Sequence, residues 1–115
     1  KTIGNDWTKV NSIRGITFKK CKLDYSNFKL MKLKKIKIIN SDAKEVDFSQ
    51  TDLTEGIFKK TDFQRSIFNN TNLSKTDFRN AINYSIDIRY NKIKGAQFSL
   101  PEAVSLLKSL EIKIE

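Results

Sequence analysis

All eight phenylalanines of the chain, at positions 18, 28, 48, 58, 63, 68, 78 and 98, leave remainder three on division by five. Independent placement would put them all in that one class about three times in a million, so the five-residue period outweighs every other signal in the sequence. Extending the class from Ile13 to Phe98 gives eighteen positions, of which only Ala43 and Asn83 are not large and apolar. Two residues earlier in each unit the side chains are mostly small, as at Cys21, Ser26, Ser41, Thr51, Gly56, Thr61, Ser66, Thr71, Thr76, Ala81 and Ala96; Ile16, Met31, Ile36, Val46 and Ile86 are larger exceptions. The other three places are polar or charged, as in Lys59-Lys60 and Gln64-Arg65. Neither the helical period of 3.6 nor the strand period of 2 accommodates one large inward group, one small inward group and three outward ones. A chain that turns a corner every five residues does. Four such sides close a coil of twenty residues.

Residues twenty apart then stack. One inner ladder is Phe18, Ile38, Phe58, Phe78 and Phe98, a second is Phe28, Phe48, Phe68 and Ile88, and a third is Ile13, Leu33, Leu53, Leu73 and Ile93. Each buried Phe or Leu contributes roughly 1.5–3 kcal/mol. The fourth ladder, Leu23, Ala43, Phe63 and Asn83, is irregular. Ala43 leaves room for Phe63, and a buried Asn83 would need hydrogen-bond partners, so a distorted corner is expected near Asn83-Tyr84.

Units such as Thr51-Asp52-Leu53-Thr54-Glu55, Thr61-Asp62-Phe63-Gln64-Arg65, Thr71-Asn72-Leu73-Ser74-Lys75 and Thr76-Asp77-Phe78-Arg79-Asn80 resemble the pentapeptide-repeat family, whose unit reads small residue, Asp or Asn, Leu or Phe, then two variable residues. The resemblance implies an all-β solenoid, a right-handed quadrilateral β-helix. Residues 11–100 make about 4.5 coils, a column roughly 20 Å long at the ~4.8 Å strand spacing. Residues 1–10 read as an N-terminal lead or the remnant of a longer chain. Residues 101–115 read as a cap: Ser99-x-x-Glu102 fits a capping box, a helix is expected over about Leu100–Leu110 with Ala103, Leu106, Leu107 and Leu110 as its apolar stripe, and Ile112 and Ile114 alternate with charged residues as a short strand. In quinolone-resistance members of the family a C-terminal helix and strand form the dimer contact. The resemblance therefore implies a homodimer through Val104, Leu106, Leu107, Leu110, Ile112 and Ile114, with a monomeric cap as the alternative.

Catalysis has little to work with. The chain has no His and one Cys, which removes Ser-His-Asp and Cys-His constellations, His-containing zinc sites and any internal disulfide. Asp42, Asp47, Asp52, Asp62 and Asp77 recur at the corner just before the inward residue instead of converging on a pocket, and they lack the loop spacing of a metal site. Cys21 falls on a small inward place, where an inert thiol is expected. No Gly-rich phosphate loop exists. No catalytic, cofactor or metal residue is therefore expected, and the chain is read as a non-enzyme. A run of roughly 18 apolar residues is absent, so no membrane span is expected, and a cytoplasmic location follows from the lone Cys and the lack of an export signal.

Charge is the remaining lead. The chain holds 22 Lys+Arg against 13 Asp+Glu, a net charge of +9. Residues 1–45 carry twelve basic and four acidic residues, +8, and residues 46–115 carry ten and nine, +1. Stacking by twenty sets Lys22 against Asp42, Asp24 against Lys44, Lys32 against Asp52, Glu45 against Arg65, and Glu55 against both Lys35 and Lys75. Lys19, Lys29, Lys34 and Lys37 have no such partner and form a candidate basic patch. Three readings compete: a structural or protein-interaction module; a mimic of DNA that binds a type II topoisomerase (gyrase or topoisomerase IV) and confers quinolone resistance, as the resemblance implies; and nucleic-acid binding by the basic N-terminal coils. A +9 column is a poor copy of a polyanion, which disfavours the second. Few exposed aromatics, Trp7 and Tyr25 being the candidates, make nucleic acid an unlikely partner.

Overall fold

A computed structural model describes residues 12–115, so the lead at residues 1–10, including Trp7, lies outside the described residues. The twenty-residue register expected from the period is the one observed. Strand β1 (Thr17–Lys19) pairs in parallel with β2 (Lys37–Ile39), with Phe18 opposite Ile38. Further parallel bridges of the same offset run from Ser12–Lys32 to Asp77–Gln97. Each rung is joined in both directions: Leu23 N donates to Asp42 O at 2.7 Å, and Asp42 N to Cys21 O at 2.9 Å. The sides are too short to make long strands, yet together they form a parallel β-helix whose backbone polar groups are satisfied coil to coil.

The corners have a uniform construction. Every fifth residue from Lys20 to Asn80 has a left-handed φ, between 51° and 67°, and Gly15 and Gly95 take the same place at 73° and 77°. Such a conformation costs a non-glycine residue about 1–3 kcal/mol, so lysine, leucine or tyrosine adopts it only where its surroundings over-determine it. Part of the compensation is the Asp or Asn just before the inward residue. The Oδ1 atoms of Asp47, Asp52, Asp62, Asn72 and Asp77 each accept the backbone N–H two residues on, at 2.8–3.1 Å. These are Asx turns, which explains the acidic periodicity without any chemistry.

We number the four sides by their inward ladders: face one carries Ile13, Leu33, Leu53, Leu73 and Ile93; face two Phe18, Ile38, Phe58, Phe78 and Phe98; face three Leu23, Ala43 and Phe63; face four Phe28, Phe48 and Phe68. The ladders stack as expected, with ring centroids 5.5 Å apart for Phe28–Phe48, 5.1 Å for Phe48–Phe68 and 5.3 Å for Phe78–Phe98. Phe63 fills the space above buried Ala43 and lies 5.6–6.0 Å from Phe48, Phe58, Phe68 and Phe78. The small places have a second role that size alone does not reveal. The hydroxyls of Thr51, Thr61 and Thr71 donate to the carbonyls of Phe28, Ile38 and Phe48 in the coil below, at 2.9, 2.7 and 2.7 Å, and Ser66 does the same to Ala43. Gly56 is required for another reason: a Cβ there would stand 2.6 Å from the Phe58 ring.

The step breaks where expected, but with a different outcome for Asn83. That residue takes the left-handed conformation (φ 60°) in place of residue 85, and its amide is exposed and donates to Asp62 Oδ1 at 3.0 Å. Its inward place is filled by Tyr84, buried and 5.6 Å from both Phe78 and Phe98. The early turn keeps an amide out of the core and puts a ring in. Ile88 is only half-buried, and Ile86 is buried instead. Asn91 restores the register. Its Nδ2 donates to Phe68 O at 3.1 Å, the position a threonine hydroxyl would serve, while its Oδ1 accepts Thr71 N at 3.0 Å.

The C-terminal helix spans Glu102–Leu110 and is wound as a 3-10 helix. The capping box does not form: Ser99 Oγ accepts Asn80 N at 2.8 Å, and Pro101 at the helix start supplies no side-chain cap. Three residues per turn also split the expected stripe. Leu106 packs on the core, while Val104, Leu107 and Leu110 fall on another line. Residues 112–115 form no strand.

Candidate interaction surfaces

Outward side chains form the whole of the accessible chemistry, and the turns decide how they pair. Of the stacked ion pairs expected from the sequence only Glu45–Arg65 forms, with Arg65 NH2 3.3 Å from Glu45 Oε2. Asp24 accepts the Lys44 backbone N–H at 2.9 Å, and Lys44 Nζ instead reaches Asp62 Oδ2 at 3.8 Å. Lys59 likewise reaches Asp77 at 3.9 Å. Each carboxylate is drawn toward the residue two positions on by its Asx turn, so a lysine following the inward residue of the coil below meets it diagonally. Lys22, Lys32, Lys35 and Lys75 make no ion pair among the described residues. Arg79 grips Asp77 with Nε and NH2 at 3.0 and 2.8 Å, and these hydrogen bonds hold the Asp77 carboxyl below the usual carboxylate range. Arg89 holds Asp87 in the same way.

The carboxylates stay dispersed. Asp42 and Asp62 are bridge partners on successive coils, flanked by Lys44 and Asn83, and Asp24, Asp47, Asp52, Asp62, Asp77 and Asp87 are each tied to a turn, a cation or a neighbouring backbone. Among the described residues no group of His, Cys, Asp and Glu is placed to hold a metal, and no helix is long and apolar enough to cross a membrane. Cys21 is half-buried, its thiol donating to Lys19 O at 3.2 Å.

The coil assignment divides the candidate basic patch. Lys19 and Lys37 share face two, Lys34 lies on face one and Lys29 on face four; all are exposed. The wider distribution is more ordered than the division along the chain implied. Face one carries Arg14, Lys32, Lys34, Lys35, Lys75, Lys92 and Lys94 against Asp52 and Glu55, a net +5. Face two carries Lys19, Lys20, Lys37, Lys59, Lys60 and Arg79 against Asp77, again +5. Faces three and four together hold five cations and six carboxylates, −1. Charge is segregated around the column as well as along it.

At the other end, Val104 (41% exposed), Leu110 (43%), Ile112 (54%) and Ile114 (52%) stand in solvent. Val104, Leu107, Ile112 and Ile114 line one shallow hollow with Ser105 and Lys108. Only Leu106 of the six candidate contacts turns toward the core. Beneath the helix the Tyr84 hydroxyl is buried, and burial, with Glu102 nearby, pushes its pKa up to about 12.

The family model described as pentapeptide repeats matches residues 32–70 and 47–82, with eight copies. Residues 32–82 carry pentapeptide repeats. No curated protein matches it. Solved pentapeptide-repeat structures do. HetL, a pentapeptide repeat protein involved in heterocyst differentiation regulation from the cyanobacterium Nostoc, is 11% identical over 74% of this chain and 44% of its own, with a TM-score of 0.47. A trypsin-treated form of QnrB1, a plasmid-mediated fluoroquinolone resistance protein, is 18% identical over 90% of this chain and 58% of its own, with a TM-score of 0.36. The chain thus spans about half the length of these pentapeptide-repeat proteins. The matched pentapeptides coincide with the coils whose Asx turns and hydroxyl ladder are the most regular.

Proposed function

We propose that the chain is a non-catalytic structural and protein-interaction module that works in the cytoplasm, without a cofactor or metal. Its repeat is a right-handed quadrilateral β-helix of about 4.5 coils over residues 11–100, and residues 101–115 serve as cap and homodimer contact. The observation that carries the reading is the use of the polar side chains: the inward threonine hydroxyls and most corner carboxylates are spent on the backbone, which leaves a column with outward faces and no converged reactive groups among the described residues. A photo-crosslinking residue placed at Gln64 or Lys59 is expected to trap a protein in cells that make the chain. Adducts to nucleic acid or lipid alone would overturn the reading.

The homodimer is supported by the line of Val104, half-buried Leu107 and Leu110 beside exposed Ile112 and Ile114. Ile112 and Ile114, which form no strand in the single chain, would gain a pairing partner in a second copy. Light scattering is expected to give twice the chain mass for the wild type and the monomer mass for Leu107→Glu, with unchanged circular dichroism; a monomeric wild type would rule the contact out. The type II topoisomerase reading is supported by that same end and opposed by the charge of +9. No protection of gyrase supercoiling against a quinolone is expected, and protection would reverse the order of the two readings.

A further inference from the structure

Resting on the protein-interaction reading, we infer that the basic half of the column, faces one and two, is the docking surface, and that face two receives an acidic polypeptide surface with an apolar centre. Thirteen cations stand on these two adjacent faces against three carboxylates, while the other half is close to neutral. On face two Arg79 and Lys59 are engaged by Asp77, and Lys19, Lys20, Lys37 and Lys60 have no ion pair among the described residues. Spread over three coils, about 10 Å at the ~4.8 Å rung spacing, these lysines lie on the side that contains β1 and β2. Between them sit Ile39 and Ile57, outward on successive coils and only half-buried. An apolar centre within a charged rim is the anatomy of a protein interface.

Nucleic acid fits less well. Of the thirteen cations only Arg14 and Arg79 can fork onto a phosphate or base edge, and Arg79 is already spent on Asp77. The exposed tyrosines able to stack a base, Tyr25 and Tyr90, belong to faces three and four. A partner with carboxylates around one or two aliphatic side chains would neutralise the lysines and cover the isoleucines together. The like-charged lysines also speed its encounter and repel other basic proteins.

The test uses the whole chain and three probes: a peptide with glutamates flanking a Leu-Leu pair, polyglutamate, and duplex DNA. Two variants carry the same charge change on opposite halves, Lys19→Glu/Lys59→Glu/Lys60→Glu on face two and Lys22→Glu/Lys44→Glu/Arg65→Glu on face three, each checked by circular dichroism. The peptide is expected to lose about tenfold or more in affinity with the face-two variant and less than about twofold with the face-three variant. Ile57→Thr is expected to weaken the peptide by about threefold and leave polyglutamate unchanged. Equal losses for the two triple variants, tighter binding of DNA than of the peptide at about 0.15 M salt, or binding of no probe would each overturn the assignment. The crosslinking result at Gln64 is independent of face two, so failure here leaves the module reading to stand or fall by itself.

Discussion

From Ser12 to Ile82 each side of the coil repeats one construction, whereas from Asn83 to Glu115 the same kinds of residue are used differently each time. In the first region a left-handed corner recurs every five residues around an inward side chain, and at residues 51–55, 61–65 and 71–75 a hydroxyl bonded to the coil below and an Asx turn reinforce it. In the second, Tyr84 replaces the expected inward residue, Asn91 performs the task of a threonine, Ser99 leaves its helix to cap Asn80, and a helix takes over from the rungs. The difference teaches that the inward apolar residue is the device the coil cannot do without: residues 36–40 lack both the hydroxyl and the Asx turn, yet they keep the rung and the left-handed corner at Asn40. Where Asn83 offers the core an amide, the chain turns two residues early and the ladder is repaired by single side chains.

The largest expected effect tests the packing side of that contrast. Phe63→Ala removes the ring shared by the ladders of faces two and four, and about 3–5 kcal/mol of stability is expected to go with it in urea unfolding. Phe98→Ala, at a half-buried place beyond the break, is expected to lose clearly less. Equal losses would mean that the last coil is as integral as the middle ones. Next comes the hydroxyl ladder. Thr61→Val keeps shape but deprives Ile38 O of its donor, which costs about 1–3 kcal/mol across the whole transition. Asn91→Leu, which removes the bonds to Phe68 O and Asp87 O, is expected instead to speed amide exchange from about residue 83 to 91 and leave the middle coils protected.

What the sequence made legible divides along the same line. The inner ladders, the register of twenty, the filling of Ala43 by Phe63 and the trouble at Asn83 were all readable, because burial of large apolar groups has a period that composition cannot hide. The left-handed corners were not, since Lys20, Leu30 and Glu45 carry no conformational signature of their own and take φ near 60° where their N–H groups donate to the next coil, at Ile39 O, Ser49 O and Gln64 O. Nor were the ion pairs: counting by twenty ignores the sideways pull of an Asx turn, which sends Lys44 to Asp62. The C-terminal helix was legible as a helix, but its winding decides which leucines share a line, and a helical stripe assumes 3.6 residues per turn. The basic patch was legible as an excess of lysine and became two faces only once each lysine had a side of the coil.

A smaller effect separates the regions by pH. Tyr84 titrates in the unfolded chain near its ordinary value of 10.0 and in the folded one at about 12, because burial and Glu102 disfavour the phenolate. The folded state therefore keeps a proton that the unfolded state loses, and stability falls as pH rises from 10 toward 12. Tyr84→Phe is expected to flatten this alkaline limb. A limb that persists unchanged in the variant would place the titrating group elsewhere.

The smallest effect concerns the corners of the regular region and asks what the recurring acid is for. At Asp77 two roles are superposed: Oδ1 accepts Arg79 N at 3.0 Å in the Asx turn, and the carboxylate binds the Arg79 guanidinium. The hydrogen bonds from Arg79 lower the Asp77 pKa in the fold, so the associated stability is present above about 4 and is lost as pH falls through the lower folded value. Asn72 shows that an amide oxygen serves the turn equally well, accepting Ser74 N at 3.1 Å. Asp77→Asn should therefore keep the corner and change stability at neutral pH by only about 0.2–1 kcal/mol, the scale of an exposed ion pair, while removing this part of the acid dependence. Asp77→Ala should cost more, since the N–H of Arg79 then loses its acceptor. If Asn proves as damaging as Ala, the charge and not the turn is what the corner requires, and the Asp–cation diagonals would have to be counted among the devices that build the coil.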